Sequence, residues 1–255
     1  MYRGTTSLEA LVANPPHATA LAGEPFRLQD VEMVQFSYEL AGVDVEALLP
    51  PALHPTLPLL AQWLCWSVPH SPWGTFNLCM LRLSCRSGAR PRLFLRRAVI
   101  DNMAAGAGLA TGWGFHVSEA QVSLDRHYDC AEVRVLEGGR TTLAARALAP
   151  EPLSPSDLQF FSAMHGASLP QGLRLVQFDS ATEARRAERY RPVIQDYDAA
   201  AWGDGAIRPD YPVTAFGASA DITLQPVRFL CLPDELAFTG TERVAPEPSN
   251  PKEID

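Results

Sequence analysis

The sequence of 255 residues is 47% hydrophobic and 20% charged, enough to bury a sizeable core. Its formal net charge of -8 argues against nucleic acid or an anionic membrane as partner, because phosphate binding needs a concentrated basic surface. The sequence has no apolar run of 18 or more residues, and its start lacks the charged-then-apolar pattern of a signal peptide, so a cytoplasmic location is expected.

Strand signals dominate in chain order. "VEMVQFSYEL" from Val31, "LLAQWLCWSV" from Leu59, "TFNLCMLRLSC" from Thr75 and "RLFLRRAVI" from Arg92 alternate or are rich in β-formers. The same holds for the stretch from Glu119 to Leu148, with a two-residue hairpin turn at Gly138 and Gly139, and for "ASADITLQPVRFLCL" from Ala218. The basic run "RPRLFLRR" from Arg90 reads as a strand with one charged face. Helices are expected in "DVEALLPPAL" from Asp44, from Ser156 in "SPSDLQFFSAMH", and in "SATEARRAERYRPV" from Ser180 to the stop at Pro192. No repeat or linker divides the chain, so residues 1–255 read as one domain, with loose ends at about 1–24 and 245–255. The pattern predicts a mainly β, α+β domain: an antiparallel, closed or nearly closed barrel-like sheet around an internal cavity, with a few peripheral helices.

Five cysteines, Cys65, Cys79, Cys85, Cys130 and Cys231, sit in apolar segments without a CxxC pair and read as reduced core thiols. Asp125, His127 and Asp129 share a strand face, but alternating polar residues beside a hairpin are ordinarily the wet side of a sheet, so no metal is expected. "AAGAGLATG" lacks the GxGxxG spacing of a dinucleotide loop, and its glycines read as close-packed turns; no cofactor is expected. No GxSxG elbow is present, and "AMHGAS" around His165 has no partnered nucleophile.

"LLPPALHP" from Leu48, "IDNMAAGAGLATGWGFHVSEA" from Ile100 and "ASADITLQPVRFLCLP" from Ala218 resemble, in order and spacing, three landmarks of the acetoacetate decarboxylase family, over about Glu24 to Val244. The resemblance implies that family's barrel-like fold and a homo-oligomer. The family's aromatic-Pro-Lys-Lys turn, whose first lysine forms a Schiff base with the substrate ketone, falls on Phe115, His116, Val117 and Ser118. Valine supplies no amine, and the sequence contains a single lysine, Lys252. The family's two site carboxylates fall on Trp63 or Leu64 and on Leu78, and its arginine on Val31. The resemblance therefore implies a pocket whose charges have been exchanged for Val31, Trp63, Leu64, Trp66, Phe76, Leu78, Trp113 and Val117, suited to an apolar, oxygenated, polyketide-like small molecule.

His116, Ser118 and Asp101 are the candidate catalytic groups, with Asn77 and His70 near them. His116 titrates near neutrality, although a turn histidine bonded to backbone is the plainer reading. Two classes of function follow: a non-covalent catalyst of cyclase, isomerase, dehydratase or pericyclic type, or a non-catalytic small-molecule binder. A β-keto acid decarboxylase of another mechanism is the third.

Overall fold

The computed structural model describes residues 2–12, 15–21 and 23–244. Strands β1 (Phe26–Glu39), β2 (His54–Pro55), β3 (Leu60–Val68), β4 (Phe76–Ser87) and β5 (Arg90–Ile100) follow a short helix, α1 (Leu8–Leu11). Helix α2 (Met103–Trp113) leads into β6 (Ser118–Glu119), β7 (Gln121–Arg126), β8 (Cys130–Glu137) and β9 (Arg140–Leu153). The remainder is β10 (Ala163–Leu169), β11 (Gly172–Phe178), β12 (Ser180–Tyr197), β13 (Tyr211–Leu224), β14 (Phe229–Cys231), helix α3 (Ala237–Gly240) and β15 (Thr241–Arg243).

All the strands join one sheet, whose main path runs β15-β14-β11-β10-β5-β4-β3-β1-β13-β12-β9-β8-β7. The barrel-like expectation holds with two differences: the sheet is mixed, because β10 and β6 pair parallel to β5, and it is curled but not closed. The curl brings β7 over β3, β4 and β5. One face of the central strands is thereby enclosed by β7, β8 and β9 around Phe36, Trp63, Cys65, Cys79 and Leu81. The other face carries α2, which buries Ala105, Leu109 and Trp113 against Met33, Leu64, Leu78 and Ile100. Successive side chains alternate between these two cores, which is why the central strands are apolar on both sides.

Three expected helices are absent. Residues 45–48 form only turns, cut short by Pro50 and Pro51, and Pro155–Asp157 is a single 3-10 turn. "SATEARRAERYRPV" lies in β12, paired with β13 and β9. Ala187 pairs with Ala218 of the core beneath α2 and Tyr190 with Ala215 of the enclosed core, so the two are buried on opposite faces three positions apart and imitate a helical period. Conversely, the glycine-rich stretch read as turns is α2. Asn102 Oδ1 accepts from the Ala104 and Ala105 amides at 3.0 and 3.3 Å, and Gly114, at φ 64°, closes the helix in the left-handed conformation. The hairpin turn is as read, with Gly138 and Gly139 at φ 56° and 78°.

Part of the first two dozen residues packs firmly: Leu8 is fully buried, and the Gly4 amide donates to the Leu53 carbonyl at 2.9 Å. The expected loose end at 245–255 lies outside the described residues. Among those described, no helix is long and apolar enough to cross a membrane.

Candidate functional site

Ladder register places the candidate residues. Across the enclosed face one row runs Val34, Cys65, Cys79, Val99 and Ser118 on β1, β3, β4, β5 and β6. A second row runs Phe36, Trp63, Leu81 and Arg97, and a third, toward the opposite end, Glu32, Ser67 and Asn77.

The candidate pocket residues divide between the two faces. Trp63 belongs to the enclosed core, whereas Val31, Leu64, Trp66, Phe76, Leu78, Trp113 and Val117 all belong to the core beneath α2. These seven are at most 9% exposed, so they form a filled interior rather than an open chamber. Val117 is wedged against α2, where a Cβ on Gly106 would sit 2.7 Å from its Cγ2. A one-residue step between Trp63 and Leu64 changes face, which is why a gapless overlay mixes the two cores.

The candidate catalytic residues also separate. Asp101 sits at the exposed end of β5 and accepts from Asn77 N and Nδ2, both at 2.7 Å, which ties the start of β4 to the end of β5. Ser118 is partly buried beside Val99. His116 is half-buried, and burial, followed by the nearby Arg97 cation, holds its pKa below the ordinary imidazole value, so it is neutral at neutral pH.

Arg97 is the centre of this end of the enclosed face. Its Nη2 lies 2.5 Å from Glu137 Oε2, and its guanidinium carbon 6.0 Å from the centre of the Trp202 ring. Thr142 donates to the same carboxylate at 3.3 Å, and Trp202 Nε1 donates to the Thr142 carbonyl at 3.0 Å. Trp63 and Tyr197 meet edge to face at 5.2 Å, and Trp63 Nε1 and the Tyr197 hydroxyl are buried without a hydrogen-bond partner among the described residues. Burial is the main cause that raises the Tyr197 pKa, so it remains a proton donor. The arrangement offers a cation for a carboxylate or enolate, a neutral imidazole to take a proton, and two idle donors for an oxygen.

The opposite end carries a cluster that alternation alone did not reveal. Arg126 Nη1 donates to Glu32 at 2.6 Å, its Nη2 donates to Glu188, and Tyr190 donates to Glu188 at 2.5 Å. Burial raises the Glu188 pKa, but the bonds from Tyr190 and Arg186 and the Arg126 charge outweigh it, leaving an ionised carboxylate. A cavity of about 260 Å³ opens beside Glu32, Ser67, Leu124, Arg126 and Arg186. Asp125 near the end of β7 and His127 and Asp129 on the turn that follows are all exposed.

No family model matches the sequence, and a comparison with curated proteins finds no match. Solved structures do match. Acetoacetate decarboxylase from Legionella pneumophila superposes with a TM-score of 0.70 at 17% identity, over 81% of this chain and 86% of that one. The enduracididine biosynthesis enzyme MppR, complexed with pyruvate, gives 0.68 at 18% identity over 82% and 91%. An acetoacetate decarboxylase-like enzyme from Sphingomonas wittichii RW1 gives 0.67 at 12% identity over 82% and 98%. The chain therefore has the acetoacetate decarboxylase-like fold.

Proposed function

We propose that the protein is a lysine-independent acid–base enzyme of isomerase, dehydratase or cyclase type, acting on a small oxygenated molecule at the Arg97 end of the enclosed face. The observation that carries this reading is a half-buried His116, held neutral by burial and the nearby Arg97 cation, on the turn that the resemblance aligns with the family's lysine turn. His116 takes a proton from carbon or oxygen, Arg97 holds the developing negative charge, and Tyr197 and Trp63 supply the hydrogen-bond donors. Ser118 is the hydroxyl next along that edge. Since MppR binds pyruvate on the same fold, a small 2-oxo acid is the first probe.

The test is exchange of the pyruvate methyl protons for deuterium, followed by proton NMR, which reads enolisation directly. The native protein accelerates exchange above buffer, and His116→Gln loses about a hundredfold or more of that acceleration. Exchange at the buffer rate, or an unaffected variant, refutes the reading.

A second reading, binding without turnover, is favoured by a cavity of about 590 Å³ that includes Leu169, Val227 and Leu230 in its lining and none of the candidate site residues.

A further inference from the structure

Of the five buried cysteines, two stand together. Cys65 on β3 and Cys79 on β4 are direct partners in an antiparallel ladder, both turned to the enclosed face and both fully buried. Directly opposed residues in such ladders have Cα atoms about 4.5–5.5 Å apart, within the span of about 4.4–6.8 Å that a disulfide requires. Their Sγ atoms are 2.7 Å apart, closer than two non-bonded sulfurs rest. Among the described residues, Cys130 faces Arg146 at 3.5 Å, Cys231 faces the Thr241 hydroxyl at 3.5 Å, and Cys85 lies in the apolar core.

We propose that Cys65 and Cys79 form a reversible disulfide, a redox-sensitive pair at the centre of the row that ends in Ser118. The oxidant is a small disulfide of the glutathione class. One cysteine, as thiolate, attacks it and releases one thiol. The second cysteine then displaces the other half. Two S–H bonds are lost, one S–S bond forms within the protein, and the two electrons and two protons reduce the small disulfide to two thiols. Full burial shields both sulfurs, so the reaction proceeds through loosening of the β7–β9 cover over the central strands or during folding. Nothing in this pairing depends on what the site binds.

The experiment refolds the full chain in a buffer of oxidised and reduced glutathione, counts thiols in denaturant and maps linked peptides by mass spectrometry. Thiols fall from five to three, the protein loses the mass of two hydrogens, and the link joins Cys65 to Cys79 and is undone by dithiothreitol. The Cys65→Ser and Cys79→Ser variants each keep every remaining thiol under the same treatment. The wild-type map decides even where a variant fails to fold. Retention of five thiols, glutathione adducts on Cys65 or Cys79 without a link, or a link to another cysteine overturns the proposal.

Discussion

His165 makes a quantitative test of how the core beneath α2 is built. It sits on β10 at 2% exposure, between Phe115 and Phe178 with ring centres 5.2 and 6.1 Å away, and its Nε2 donates to the Trp113 carbonyl at 2.9 Å. That carbonyl is at the C-terminal end of α2, and the bond leaves Nδ1 buried without a partner among the described residues. Burial pushes the pKa down to about 4 from an ordinary 6.5. Between those values the unfolded chain takes up a proton that the folded chain refuses, so stability falls as the pH is lowered through 6.5 toward 4. At about pH 4.5 the linkage amounts to roughly 2.5 kcal/mol relative to neutral pH. The assay is urea unfolding at both pH values for the wild type and for His165→Gln, whose amide can still donate to Trp113 but does not titrate. The variant is expected to lose about 2.5 kcal/mol less than the wild type on acidification. Carboxylates and His116 titrate in both proteins and cancel. An equal loss in the two refutes a neutral, desolvated His165.

Further outcomes follow from the other contacts. Gly106→Ala drives a methyl into Val117 and should cost about 1–3 kcal/mol in chemical denaturation; adding Val117→Ala should relieve part of that cost, and simple additivity contradicts the contact. Glu188→Ala leaves the Arg126 guanidinium, whose side chain is 16% exposed, with Glu32 as its remaining carboxylate and should destabilise by roughly 1–2 kcal/mol, while Arg126→Met with Glu188→Leu should be milder than the single change. For proton exchange, the lowered pKa of His116 places the acid limb of the rate profile below 6.5, with full rate above it; a midpoint at or above 6.5 contradicts the desolvated histidine beside Arg97.

The central strands were legible because alternation between two apolar faces leaves a plain record in segments such as "LLAQWLCWSV". β12 was not, since burial on both of its faces sets Ala187 and Tyr190 three apart, a spacing that resembles a helix. Helix α2 was hidden by glycines whose purpose is tight packing, Gly106 on Val117 and Gly108 on the Trp73 ring, although Asn102 and Gly114 marked its two ends. At the candidate site the turn bearing His116 and Ser118 was visible from the resemblance, but which side chains face inward depends on single-residue register. That is why Trp63 and the leucine after it belong to different cores. Arg97 and Glu137 lie forty positions apart, and only the curl of the sheet brings them to 2.5 Å. No local pattern announces such a pair.

The claim that this fold works here without a Schiff base is tested most directly by measuring pyruvate proton exchange before and after borohydride reduction in the presence of pyruvate, with the intact mass recorded alongside. An amine-based mechanism is blocked by reduction, because the imine becomes a stable secondary amine. An unchanged exchange rate and unchanged mass are expected. Loss of exchange together with a trapped pyruvate adduct contradicts the account.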